Sequence, residues 1–144
     1  EKTEYPLQCI NPHYQRRSHS IFDNIPWLRE ALRNPLYISK KDAEERGIEE
    51  GDWCWIENQR GRGRQKAKVT PIMKEGVVNA DHGWWYPEAE PSEPNLYNVW
   101  KSNVNNMIPF DCGESGFGSA YKSMLCKVYP AKEGFADIEG EGER

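Results

Sequence analysis

The chain has 144 residues and a net charge of −4, with 29% charged and 37% hydrophobic residues and 17 aromatics (six Trp, seven Tyr, four Phe). That length suits one domain able to bury roughly 70% of the surface of its unfolded form. No apolar run approaches the ~20 residues that span a bilayer and no charged start leads into one, so neither direct membrane insertion nor a signal peptide is indicated; the mild acidity argues against a nucleic-acid partner.

Tyr5 to Ile10 reads as an opening strand, followed by a polar loop from Asn11 to Ser20 that holds two histidines and the pair Arg16-Arg17. Ile25 to Leu32 has helical spacing, with Trp27, Leu28, Ala31 and Leu32 on one side and Pro26 near its start. Pro35 to Ile38 is a second short strand. Ser39-Lys40-Lys41-Asp42 has the form of a capping box, opening a helix from Lys40 to Arg46 that Gly47 ends by taking the left-handed conformation.

Glu50-Gly51-Asp52 turns the chain into strand Trp53 to Ile56. Gly61 and Gly63, set among arginines, predict a hairpin loop, with the return strand running from Gln65 to Met73. Val77 to Ala80 is another strand. Trp84, Trp85, Tyr86, Tyr97 and Trp100 then crowd a long, proline-interrupted loop, and a glycine-rich stretch runs from Gly113 to Ser119. Tyr121 to Tyr129 closes as a strand. From Glu133 to the end five acids meet one arginine, which reads as a disordered acidic tail over 133–144 beyond a domain of 1–132. Many short strands with few helices predict a mainly β fold, a small mixed barrel more than a sandwich.

The four cysteines, at 9, 54, 112 and 126, have no C-x-x-C spacing and read as small buried thiols. His13, His19 and His82 show no metal spacing, and no H-E-x-x-H, G-x-S-x-G or Walker loop is present; catalytic and metal-ligating residues are therefore assigned as none. Binding is better supported. Tyr14 to Ser20 gathers guanidinium, imidazole, hydroxyl and backbone donors, which suits an anionic, heteroatom-rich ligand, although the same composition describes a solvated basic loop. His82-Gly83-Trp84-Trp85 offers stacking surface or, equally, core packing at a strand end. Asn105-Asn106 suits either a heterocycle edge or a turn.

Taken in order, several blocks are similar to a known family: Tyr5-Pro6-Leu7, Arg17-Ser18-His19-Ser20, and Ile38-Ser39-x-x-Asp42-Ala43-x-x-Arg46-Gly47-Ile48-x-x-Gly51-Asp52. They continue as Glu57-Asn58-x-Arg60-Gly61, Ala67-x-Val69-Thr70, Gly76-Val77-Val78, His82-Gly83-Trp84 and Asn105-Asn106. Together they resemble the molybdopterin dinucleotide-binding domain, the C-terminal domain of the dimethyl sulfoxide reductase family of molybdenum and tungsten oxidoreductases.

The resemblance implies a six-stranded double-psi β-barrel with short helices that closes over bis(molybdopterin guanine dinucleotide). The protein ligand to molybdenum or tungsten would come from another domain, and the chain would be inactive alone. It implies cofactor contacts from Arg17, Ser18, His19 and Ser20, with Asn11, His13 and Tyr14 beside them, and from His82, Gly83 and Trp84. Asn105, Asn106, Tyr121 and Lys122 complete the implied set. The partners implied are the remaining domains of a parent enzyme and an iron–sulfur electron-transfer subunit, on the cytoplasmic or periplasmic side in a prokaryote. The start at Glu1 fits a piece of a larger protein. Two rivals share the barrel: a free-standing binding module for peptide or protein substrates, and a self-cleaving pyruvoyl enzyme, for which Gly118-Ser119 is the one available bond.

Overall fold

Leu7, Cys9, Leu36, Ile38, Cys54, Ile56, Val78, Ala80 and Cys126 are each 0–1% exposed, and on most strands they alternate with wetter neighbours. A period of two places one face of each strand inward, and fully burying a side chain of the Leu or Ile class contributes about 1.5–3 kcal/mol. In the computed structural model, which describes residues 3–22, 24–29, 35–85, 99–108 and 124–131, these inward faces line a closed barrel.

The elements are β1 (Leu7–Ile10), α1 (Pro26–Arg29), β2 (Pro35–Ile38), α2 (Lys40–Glu45), β3 (Trp53–Asn58), β4 (Gly61–Val69), β5 (Val77–Ala80), α3 (Val99–Ser102) and β6 (Met124–Pro130), with a 3-10 turn at Val104–Met107 between α3 and β6. Around the barrel the order is β1-β5-β2-β4-β3-β6. Two pairs, β1/β5 and β2/β4, are parallel and the other four are antiparallel. This is a mainly β, six-stranded double-psi β-barrel. Among the described residues no helix is long and apolar enough to cross a membrane.

Helix α2 forms where the sequence calls for it. Ser39 Oγ accepts from Asp42 N at 3.1 Å and donates to Asp42 Oδ2 at 2.6 Å. At the other end Ile48 N bonds Ala43 O and Gly47 N bonds Glu44 O, with Gly47 at φ +64°, which is a Schellman stop. Ala43 and Ile48 both join the core, so the stop also seats an apolar contact.

The hairpin differs from expectation. Gly61 and Gly63 do not form its loop; Gln59 and Arg60 do, with Asn58 paired to Gly61 and Asn58 Oδ1 accepting from Arg60 N. Strand β4 therefore runs over Gly61–Val69 rather than 65–73. The glycines are there for space. They share the inward face with Cys54 and Ile56, and the 102–107 segment crosses directly over them. A Cβ at Gly61 would stand 2.8 Å from Asn106 O, while Val104 and Met107 from the crossing segment fill the core.

Trp27 is another departure. Placed on the apolar side of its helix by spacing, it is 69% exposed. The described residues of α1, Pro26–Arg29, make a single turn and leave the Trp27 side chain in solvent. The predicted elements at 86–98, 113–119, 121–123 and 133–144, and Cys112, lie outside the described residues.

Candidate functional site at one rim of the barrel

Because β1 and β5 run parallel, with Ile10 beside Asn79, their C-terminal ends leave the barrel side by side. The loop that follows β1 and the turn that follows β5 are thereby forced together at one rim. Asn11 Nδ2 donates to Ala80 O at 3.1 Å, and His82 N donates to Pro12 O at 3.4 Å. Gln65 Nε2 supports the same turn from below by donating to Asp81 O at 3.3 Å.

Arg17 is the clamp. It is 8% exposed, and its guanidinium donates to Gly83 O at 3.1 Å and to His82 O. The same group lies 4.0 Å from the Trp84 ring centroid and 5.9 Å from that of Tyr14. Tyr14 and Trp84 also meet, with centroids 5.3 Å apart. A desolvated cation over an indole is worth about 2 kcal/mol, and hydrogen bonds from a charged group about 1.5–3 kcal/mol. Arg17 thus joins loop to turn and does not stand out as an exposed phosphate ligand.

Gly83 completes the junction. It sits at φ +82°, and a Cβ there would lie 2.7 Å from His19 O, so only glycine lets the two backbones touch. His19 itself has φ +54°, a left-handed conformation unusual for a side-chain-bearing residue and recurrent at ligand-gripping loops. Ser18, His19 and Ser20 are exposed, and an isolated bridge from Ser18 to Ile21 tightens the loop beneath them. Trp85 Nε1 fastens its far side by donating to Ser20 O at 2.7 Å.

The rim collects all three histidines of the chain. Ring centroids are 4.4 Å apart for His13 and His82, 5.1 Å for His13 and His19, and 5.6 Å for His19 and His82. Burial, then the charges of His13, Arg17 and His19, hold His82 below its ordinary pKa of 6.5. Burial pushes the Asp81 carboxyl up to about 6 while Arg17 pulls the other way. Asp81 carried no signal in sequence, since a single aspartate after a strand is commonplace.

Trp84 is 2% exposed, so it packs under the rim and offers no free stacking face; its Nε1 is buried without a hydrogen-bond partner among the described residues, as is Asn11 Oδ1. Asn105 and Asn106 belong to the segment that lies over the β3–β4 hairpin, and Ser102 Oγ, just before it, donates to Trp84 O at 3.0 Å. Asn106 Nδ2 donates to Trp100 O at 2.5 Å, whereas the Asn105 side chain is exposed. The expected Tyr121 and Lys122 fall outside the described residues.

The chain is thus a double-psi barrel whose β1 loop presents clustered donors, clamped against the turn after β5. The family model described as "Molydopterin dinucleotide binding domain" matches residues 7–125, and the chain belongs to that family. It is 35% identical over 142 residues to a dopamine dehydroxylase of Eggerthella lenta, covering 92% of this chain and 13% of that protein. It is 44% identical over 105 residues to dimethyl sulfoxide reductase DmsA of Escherichia coli K12, covering 73% of this chain and 12% of the relative. Acetylene hydratase from Pelobacter acetylenicus has the same fold, with a TM-score of 0.83 at 23% identity over 90% of this chain and 19% of that one. The chain spans about an eighth of the length of the curated relatives it matches.

Proposed function

We propose that this chain is the cofactor-closing domain of a larger molybdenum or tungsten oxidoreductase, binding bis(molybdopterin guanine dinucleotide) at the rim and inactive by itself. The observation that carries this is the rim's construction: exposed Ser18, His19 and Ser20 on a loop locked by Arg17 and Gly83 against the turn at 82–84. The donor set fits the group. Hydroxyl, imidazole and backbone N–H donors suit pyrophosphate and pterin heteroatoms, and Trp84 Nε1 and Asn11 Oδ1, without partners among the described residues, are a buried donor and acceptor beneath them.

When bound, the metal and its pterins supply the redox chemistry, with the metal's protein ligand coming from another domain. This chain's residues bind, orient and shield. Ser18, His19, Ser20 and His13 hold the anionic and heterocyclic edges, joined by His82 at the turn. Arg17 and Gly83 position that loop. Trp84 and Tyr14 give it a water-excluding floor. Asn105, whose side chain is free of the Trp100 contact that holds Asn106, is the better candidate of the asparagine pair, with Tyr121 and Lys122 completing the set. Ile21, Phe22 and Trp27, exposed beside the loop, suit contact with the remaining domains of the enzyme. An iron–sulfur electron-transfer subunit is the expected redox partner.

Substituting His19→Ala and Ser18→Ala in the parent enzyme tests the reading. Both side chains are exposed, so folding is retained while pterin content, metal content and turnover fall together. Full cofactor content and full turnover in the double variant would refute it.

A further inference from the structure

From the geometry of the rim we infer that His13, His19 and His82 form a three-imidazole site for a divalent transition metal of the zinc class. Their candidate ligand nitrogens all lie within 4.8 Å of one another, though the residues are scattered at positions 13, 19 and 82. Metal–nitrogen bonds of about 2.0–2.1 Å in a tetrahedral site set ligand nitrogens roughly 3.4 Å apart. The remaining distance is within reach of side-chain rotation at His13 and His19, both exposed.

The backbones that carry the rings are already fixed. Pro12, next to His13, accepts from His82 N, and His19 O packs against Gly83, where a Cβ would be 2.7 Å away. Arg17 bonds the carbonyls of His82 and Gly83, so the His82 backbone is held from both sides. That preorganisation removes most of the ordering entropy which a three-histidine site on free loops would cost on metal binding. The guanidinium is the unfavourable neighbour for a cation; its charge is engaged by the two carbonyls and the Trp84 ring.

Three imidazoles with no thiolate or carboxylate among them suit Zn²⁺, Ni²⁺ or Cu²⁺, and leave a fourth position open to water or a small anion. The inference rests on the ring geometry and holds independently of the pterin reading. Where the dinucleotide seats on the same imidazoles, it and the metal compete.

Titration of Zn²⁺ into chelator-treated, cofactor-free protein, followed calorimetrically, tests the site, with Co²⁺ absorption reporting tetrahedral coordination. The expected result is one Zn²⁺ per chain in wild type and binding weakened by about 100-fold or more in the His13→Ala/His19→Ala double variant. His82→Ala weakens it likewise. The two exposed substitutions leave the fold intact, so circular dichroism of the double variant matches wild type. No saturable Zn²⁺ site in wild type, or equal affinity in the double variant, overturns the inference. Neither result bears on pterin content, so a failure here is distinguishable from a failure of the cofactor assignment.

Discussion

Arg17 and Trp84 are stacked cation over ring, 4.0 Å from guanidinium carbon to centroid, and both are buried, at 8% and 2% exposure. The pair joins the loop after β1 to the turn after β5 and sets where every exposed donor of the rim stands.

Replacing Arg17 by alanine leaves the carbonyls of His82 and Gly83 without their donor and the Trp84 ring without its cation. Chemical denaturation is expected to show a loss of about 3 kcal/mol. Arg17→Lys recovers less than half of it, because an ammonium cannot reach two carbonyls with a planar fork. Equal stability of Arg17→Ala and wild type would contradict the clamp.

Two glycines with nearly the same backbone separate strain from crowding. At Gly76, with φ +78°, an added Cβ would meet nothing within 4 Å, whereas at Gly83, with φ +82°, it would face His19 O at 2.7 Å. Gly76→Ala is expected to cost about 1 kcal/mol and Gly83→Ala about 3 kcal/mol or more, measured as urea midpoints. The ordering of the two is the decisive quantity.

Acid sensitivity has a local origin in Glu57. A hydrogen bond from the Tyr129 hydroxyl, partly opposed by burial and reinforced by Lys127 at 3.0 Å, holds its carboxyl below the ordinary 4.5. A carboxyl depressed in the folded state stabilises fully above 4.5 and loses that contribution as pH falls through its folded value. Stability measured from pH 7 downward is therefore expected to fall less steeply in Tyr129→Phe than in wild type. Parallel acid limbs would exclude the contact as a source.

Thiol reactivity follows burial. Cys9, Cys54 and Cys126 are buried and free, and burial pushes the Cys54 thiol up to about 12, so no thiolate is present there at neutral pH. In a Cys112→Ser background, a thiol reagent at pH 8 is expected to label none of the three until denaturant is added. Rapid native labelling of Cys54 would show that β3 opens.

The helix Lys40–Glu45 is legible in the sequence because capping serine, Asp42 and the terminal glycine act within a short stretch of chain. Most strand positions are legible from local alternation, β4 at 61–69 being an exception, and the barrel that the family resemblance implies is the one observed. The Gly61 and Gly63 pair misleads because its requirement comes from the backbone of Ser102 to Asn106, far later in the chain. The histidine cluster is invisible in spacing, since only the parallel pairing of β1 with β5 brings 82 to 13 and 19. Arg17 reads as a solvent-facing ligand; its burial depends on two carbonyls that no pattern around it announces.

The contact of Asn11 with Ala80 spans 69 residues. During synthesis the donor loop precedes β5, and its contacts to the turn at 80–83 form only once β5 lies beside β1. Bringing such distant segments together is the slow part of building a barrel. The shape of the rim is thereby tied to completion of the barrel, since its loop and turn meet only where β1 and β5 are already paired.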